Sequence, residues 1–72
     1  MADTPLVPPV VRLANDIARQ FAHLPGDQAS AAVANHITMF WDPRMRAELA
    51  REIDRDASQL DPLVVQGVSA AR

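Results

Sequence analysis

The sequence predicts an all-α fold, a small bundle of three to four short helices joined by tight corners. Two observations carry that expectation. Apolar residues recur at three- and four-residue spacing in successive segments, the period of a helix with one buried face. Proline stands beside glycine or aspartate where the segments meet, at Pro25-Gly26, Asp42-Pro43 and Asp61-Pro62, and each pair punctuates the chain. The two aspartate–proline corners are turn chemistry and not an internal repeat.

Met1 to Pro9 reads as an extended arm, because Pro5, Pro8 and Pro9 forbid a helix upstream. Residues 10–72 are expected to form one helical domain. The first helix begins at Pro9 or Val10, since proline suits the first helical position. Val10, Leu13, Ile17 and Phe21 make its stripe, with Ala14 and Ala18 beside them. Arg12, Asp16 and Arg19 share another face and can pair locally. Pro25-Gly26 ends this helix near His23.

Asp27 is a candidate cap for the second helix. From Gln28 to Trp41 there is no charged residue at all. Ala29, Val33, Ile37 and Phe40 form one stripe, and Ala31, Ala32, Ala34, Met39 and Trp41 cover much of the rest. A helix apolar nearly all round is normally buried nearly all round. This chain has few other helices to surround it, so the pattern predicts a partner. The competing reading is that the alanines simply face water.

At Trp41-Asp42-Pro43 the residue before proline is pushed out of helical conformation, and an aspartate there accepts from the next free N–H groups. A third helix therefore starts with almost no loop. Its stripe is Met45, Leu49, Ile53 and Ala57, and charged residues cover its other faces. Leu60-Asp61-Pro62 repeats the grammar, and Leu63, Val64, Val65 and Val68 predict a short last helix, weakened by Gly67.

Composition narrows the function. A chain of 72 residues is one domain at most. So short a chain buries only about 60% of its unfolded surface and usually needs a staple. Disulfides are excluded, because there is no cysteine, and two histidines make a structural metal a poor fit. Good helix packing and association with another chain remain. The net charge is −2 and all seven basic residues are arginines, so the basic surplus that grips a phosphate backbone is missing. The start resembles no signal or transit peptide, and no apolar run approaches the ~20 residues of a membrane helix. The expectation is a soluble, cytoplasmic protein.

No catalytic constellation appears. Ser30, Ser58 and Ser69 sit in no nucleophile elbow, there is no glycine-rich phosphate loop, and His23 and His36 lack the spacing of paired ligands. Glu48 and Glu52 fit solvated ions paired with Arg44, Arg51 and Arg55. His36 falls on the apolar side of the second helix and fits a hydrogen-bonded core or interface histidine. Phe40 and Trp41 bring large apolar area to a corner. They suit a core plug as well as an interface anchor, and the pair can divide the two jobs. Arg44 and Arg46 stand in the first turn of a helix, where the macrodipole favours negative charge. Together with free N–H groups they form either an anion-attracting corner or a pair compensated by Asp42 and Glu48. Phe40, Trp41, Asp42, Pro43, Arg44, Met45 and Arg46, with His36, are thus the candidate partner-binding residues.

The order of segments resembles a known family. Val11 to Ala18, Phe21, Ala34 to Ile37, the block Phe40-Trp41-Asp42-Pro43-Arg44-Met45-Arg46, and Leu60 to Val64 resemble the delta subunit of NAD-dependent formate dehydrogenase. The resemblance runs from about Val10 to Val68, and the Phe40–Arg46 block is its specific part. Arg55 to Gln59 departs from the family, which is expected to be glycine-richer there. The resemblance implies a heteromeric molybdenum or tungsten enzyme that converts formate and NAD⁺ to carbon dioxide and NADH. Its alpha subunit would carry molybdopterin guanine dinucleotide and iron–sulfur clusters, and its beta and gamma subunits FMN and further clusters. The delta subunit holds no redox centre and supports assembly, stability or cofactor retention of the alpha subunit. The lack of cysteine agrees, since iron–sulfur ligation needs thiolates. Two other classes compete: a small helical DNA-binding or regulatory protein, which the acidic face of the third helix disfavours, and a transient assembly chaperone.

Overall fold

The structure, a computed structural model, describes residues 8–71. Most of the predicted arm lies outside them. Four α-helices follow in order: α1 (Pro9–Phe21), α2 (Gly26–Phe40), α3 (Pro43–Asp56) and α4 (Pro62–Ala71), with one 3₁₀ turn (Ala57–Gln59) between the last two. The chain is a small all-α bundle, as the periodicity predicts.

Proline sets the helix starts. Pro8 is extended, with φ −59° and ψ 147°, and Pro9 takes the first helical position of α1. The Asp42 carboxylate accepts the Met45 N–H at 2.9 Å, and Pro43 opens α3 with only Trp41 and Asp42 separating it from α2. Asp61 repeats the device at α4, its Oδ1 accepting the Leu63 N–H at 2.9 Å. The predicted cap at Asp27 is overturned. Helix α2 starts two residues earlier, at Gly26, Pro25 holds the N-cap position, and the Asp27 carboxylate accepts from its neighbour Gln28. The first helix also stops at Phe21, short of His23.

Helix α2 is central and packs against α1 and α4, whereas α3 leans chiefly on α1 and on the 3₁₀ turn that follows it. The core joins Val10, Val11, Ala14, Ile17 and Ala18 of α1 to Val33 and Ile37 of α2, Leu49 and Ile53 of α3, and Val64 of α4. Trp41 and Leu60 close it from the two corners.

Three side chains depart from the predicted stripes. Leu13 is 47% exposed, because the buried face of α1 centres on Ala14 and Ala18, whose small side chains let the neighbouring helices come close. Phe40 is exposed rather than continuing the Ala29–Val33–Ile37 stripe. Ala57 is exposed, because α3 ends at Asp56 and the chain turns away. Gly67 is also more than a weak point in α4. A Cβ placed there would stand 2.6 Å from the Ser30 carbonyl oxygen and 3.4 Å from the Ala34 Cβ. The missing side chain is what allows α4 to lie against α2.

A polar clamp absent from the sequence reading holds the last corner. Asn15 of α1 accepts the Asp61 N–H through Oδ1 at 2.8 Å and donates through Nδ2 to the Gln59 carbonyl at 3.1 Å. Both backbone groups are partly buried and belong to the turn, so no helix ladder serves them.

Candidate partner interface

The corner between α2 and α3 is built by one change of backbone conformation. Phe40 is the last helical residue, while Trp41 is extended at φ −98° and ψ 139° and donates its N–H to the Ile37 carbonyl at 2.9 Å. That step turns consecutive aromatics in opposite directions. Trp41 enters the core and is 8% exposed, whereas Phe40 is 70% exposed. The two aromatics therefore divide the roles that the sequence left open. Trp41 plugs the core of this chain, and Phe40 is free to meet another. Met39 beside it is 75% exposed, the most exposed large apolar side chain among the described residues, and lies just outside the Phe40–Arg46 block that the sequence marks as the candidate site.

Phe40 extends a line of rings. His36 lies 4.8 Å from Phe40, tilted by 43°, and 6.4 Å from Phe21 in an edge-on arrangement. The expected hydrogen-bonded histidine is thus replaced by a half-buried one packed between two phenylalanines. Its ring spreads the apolar surface from α1 to the end of α2.

The arginines do different things. Arg46 is half-buried and donates through one guanidinium nitrogen to the Thr38 carbonyl at 3.3 Å. Helix α2 has no basic residue in its own last turn, so Arg46 reaches back to serve one of its unpaired terminal carbonyls. Arg44 is exposed and forms no ion pair among the described residues. Compensation of these arginines by Glu48 does not occur there, and Asp42 spends its carboxylate on the Met45 N–H. Of the predicted interface residues, Phe40, Asp42, Pro43 and Arg44 face solvent, while His36, Met45 and Arg46 are half-buried and Trp41 is buried.

Arg46 also marks the end of an apolar groove of about 370 Å³ between α2, α3 and α4. Ile37 and Leu49 lie deepest, Val68 is half-buried, and Ala34, Ala47 and Ala50 form the walls.

The titratable groups with shifted equilibria lie at the other end of α3. Glu52 is held below the ordinary carboxylate range, first by its hydrogen bond from Arg55 and then by that from Gln59. Asp56 is lowered by the hydroxyl and N–H of Ser58, and the Arg55 guanidinium is raised by Glu52. Two of these contacts measure 2.8 Å for Arg55–Glu52 and 3.0 Å for Gln59–Glu52. The Gln59–Glu52 contact fastens the 3₁₀ turn to α3, while Arg55–Glu52 lies within the helix. Arg51 makes no such contact with Glu52, and Arg19 pairs with Asp16 at 3.6 Å. No cluster of three or more histidine, cysteine or acidic residues suited to a metal occurs among the described residues. No helix among them is long and apolar enough to cross a membrane.

The family model described as the NADH-dependent formate dehydrogenase delta subunit FdsD matches residues 9–68. The match takes in all of α1, α2, α3 and the first part of α4. No curated protein and no solved structure matches the chain.

Proposed function

The chain belongs to the FdsD family of NADH-dependent formate dehydrogenase delta subunits, and from that premise we propose that it is a non-catalytic accessory subunit of a heteromeric formate dehydrogenase. The family match across residues 9–68 carries the reading. In it, the chain binds the alpha subunit directly and meets the beta and gamma subunits within the complex, in the cytoplasm. It supports assembly, stability or retention of the molybdenum cofactor by alpha. The redox groups belong to the partners: molybdopterin guanine dinucleotide and iron–sulfur clusters in alpha, FMN and further clusters in the others. A chain with no cysteine offers no thiolate for an iron–sulfur cluster.

The corner from Phe40 to Arg46 supports the same reading. Exposed Phe40 and Met39 supply apolar area that the chain's own elements leave uncovered. Arg44, unpaired among the described residues, supplies a charge beside the start of α3. Aromatic and arginine side chains of this kind are the usual anchors of an interface.

Co-expression of the tagged chain with the other subunits tests the proposal. The chain is expected to co-purify with mature complex, and omitting it is expected to lower the molybdenum content or the yield of the alpha subunit. Binding only to cofactor-free alpha subunit, with release on maturation, would make it a transient chaperone instead. Salt-sensitive DNA binding without subunit binding would overturn the reading.

A further inference from the structure

An apolar groove lies between α2, α3 and α4. Helix α3 leans on α1 and makes only slight contact with α2 and α4, so a cleft of about 370 Å³ opens along its inner side. Alanines line both banks, Ala34 on α2 and Ala47 and Ala50 on α3, with Ile37 and Leu49 beneath. Small side chains on two facing helices let a third backbone come close. The floor is apolar and rewards an aliphatic side chain.

The lining also decides what backbone fits. An extended peptide would bring unpaired N–H and C=O groups against alanine methyls, and burying such groups unpaired is costly. The nearby Thr38 carbonyl is already taken by Arg46. A helix satisfies its own backbone and brings none of that cost.

Charge fixes the remaining chemistry. Among the described residues, Arg46 is the one ionic side chain lining the groove. One of its nitrogens serves Thr38, which leaves the rest of the fork for a second acceptor. Arg44 stands nearby at the α3 start, and the Asp42 carboxylate is engaged with the Met45 N–H. The chain as a whole is acidic at −2, yet the charged side chain that lines the groove is the cation Arg46.

Resting on the accessory-subunit reading, we infer that the α2–α3–α4 groove receives an α-helical segment of the alpha subunit, one that presents aliphatic side chains to Ile37 and Leu49 and a carboxylate to Arg46. Helix α3 then serves as the outer wall of a helix–helix seat, and the Phe40 surface is a separate contact.

Ala47 gives a test that leaves both the core and the corner intact, because its side chain is exposed on the rim. Ala47→Glu and Ala47→Lys add similar bulk with opposite charge, and Phe40→Ala serves as the comparison. Each is co-expressed with the other subunits and the bound fraction measured, with circular dichroism of the isolated chain as the folding control. Glutamate near the start of α3 suits the helix dipole, so folding is retained. The expected result is weaker association for both variants, since either side chain crowds the bank, with Ala47→Glu roughly tenfold weaker than Ala47→Lys. Equal loss with both charges would overturn the carboxylate. Unchanged binding by both, with loss in Phe40→Ala, would overturn the groove while leaving the accessory role standing. Self-association of the chain alone that Ala47→Glu abolishes would assign the groove to a second copy and overturn the inference. Failure of the wild-type chain to co-purify would overturn the accessory role itself.

Discussion

The Asn15 side chain and the backbone of Asp61, 46 positions apart, are joined by a 2.8 Å hydrogen bond that fixes the last corner of the chain to its first helix. The same carboxamide donates to the Gln59 carbonyl at 3.1 Å, so one side chain satisfies both polarities of one turn. Removing it leaves a donor and an acceptor partly buried and unmet. Asn15→Ala is expected to cost about 1–3 kcal/mol. For a domain of this size each kcal/mol lowers Tm by roughly 4–8 °C. Asn15→Asp retains an acceptor for the Asp61 N–H but places a carboxylate against the Gln59 carbonyl, so it should rescue only part of the loss. Thermal unfolding followed by circular dichroism reads both, and an unchanged Tm in Asn15→Ala would show that the clamp contributes nothing.

Gly67→Ala sets two effects against each other. Helix propensity alone favours alanine by about 1 kcal/mol. The added Cβ, however, meets the Ser30 carbonyl at 2.6 Å, a backbone atom that cannot step aside without moving α2. Overpacking of this kind costs about 1–3 kcal/mol and is expected to win, giving a lower Tm. A raised Tm would mean that α4 sits farther from α2 than described.

Phe40 and Trp41 should separate cleanly in mutagenesis. Trp41→Ala empties a core position and is expected to cost about 3–5 kcal/mol, enough to unfold so small a chain. Phe40→Ala removes exposed area, so the isolated chain should keep its Tm within ~1 °C while co-purification falls. If Phe40→Ala unfolded the chain, the aromatic line through His36 would be structural support rather than interface.

The arginines give a third contrast. Arg46 bonds the Thr38 carbonyl, so Arg46→Ala combines a structural loss with any loss of binding. Arg44 has no such contact among the described residues, and Arg44→Ala is expected to leave folding unchanged while weakening partner binding more at low salt than at high salt. Equal weakening at all salt concentrations would rule out a charge contribution from Arg44.

Acid should loosen the end of α3. Glu52 and Asp56 both have folded-state equilibria lowered by hydrogen bonds to Arg55 and Ser58. A lowered carboxylate contributes stability that is present above its unfolded value and disappears as pH falls through its folded value. Stability is therefore expected to decline below the ordinary carboxylate range, and Glu52→Gln should flatten that decline. Denaturant melts across acidic pH check it, and a pH slope identical in the two proteins would exclude Glu52 as a source.

Three of the four helix starts were legible because proline enforces them locally: Pro9, Pro43 and Pro62 each open a helix where the sequence places one, whereas α2 starts ahead of the expected Asp27 cap. The features that escaped depend on distant partners. Asn15 looks like an ordinary polar residue until Asp61, 46 positions later, folds onto it, and Gly67 looks like a weak helix residue until Ser30 arrives. Leu13 misled for a related reason, since spacing identifies a stripe but not its centre, and the alanines of α1 set the close-packed line. At the corner, the sequence marked Phe40 and Trp41 as a pair but could not assign inside and outside. That assignment rests on a single extended residue at the end of α2.

Trp41 is the sole tryptophan, and the chain has no tyrosine. Its burial at the junction of α2 and α3 therefore makes this molecule its own optical gauge. Indole emission from the isolated chain comes from one site, held out of water only while the helices are docked. A red shift in that emission reports the opening of the corner, free of any second fluorophore. Contacts made on the Phe40 side leave the indole where it is, so folding can be followed by light independently of what the outer surface touches.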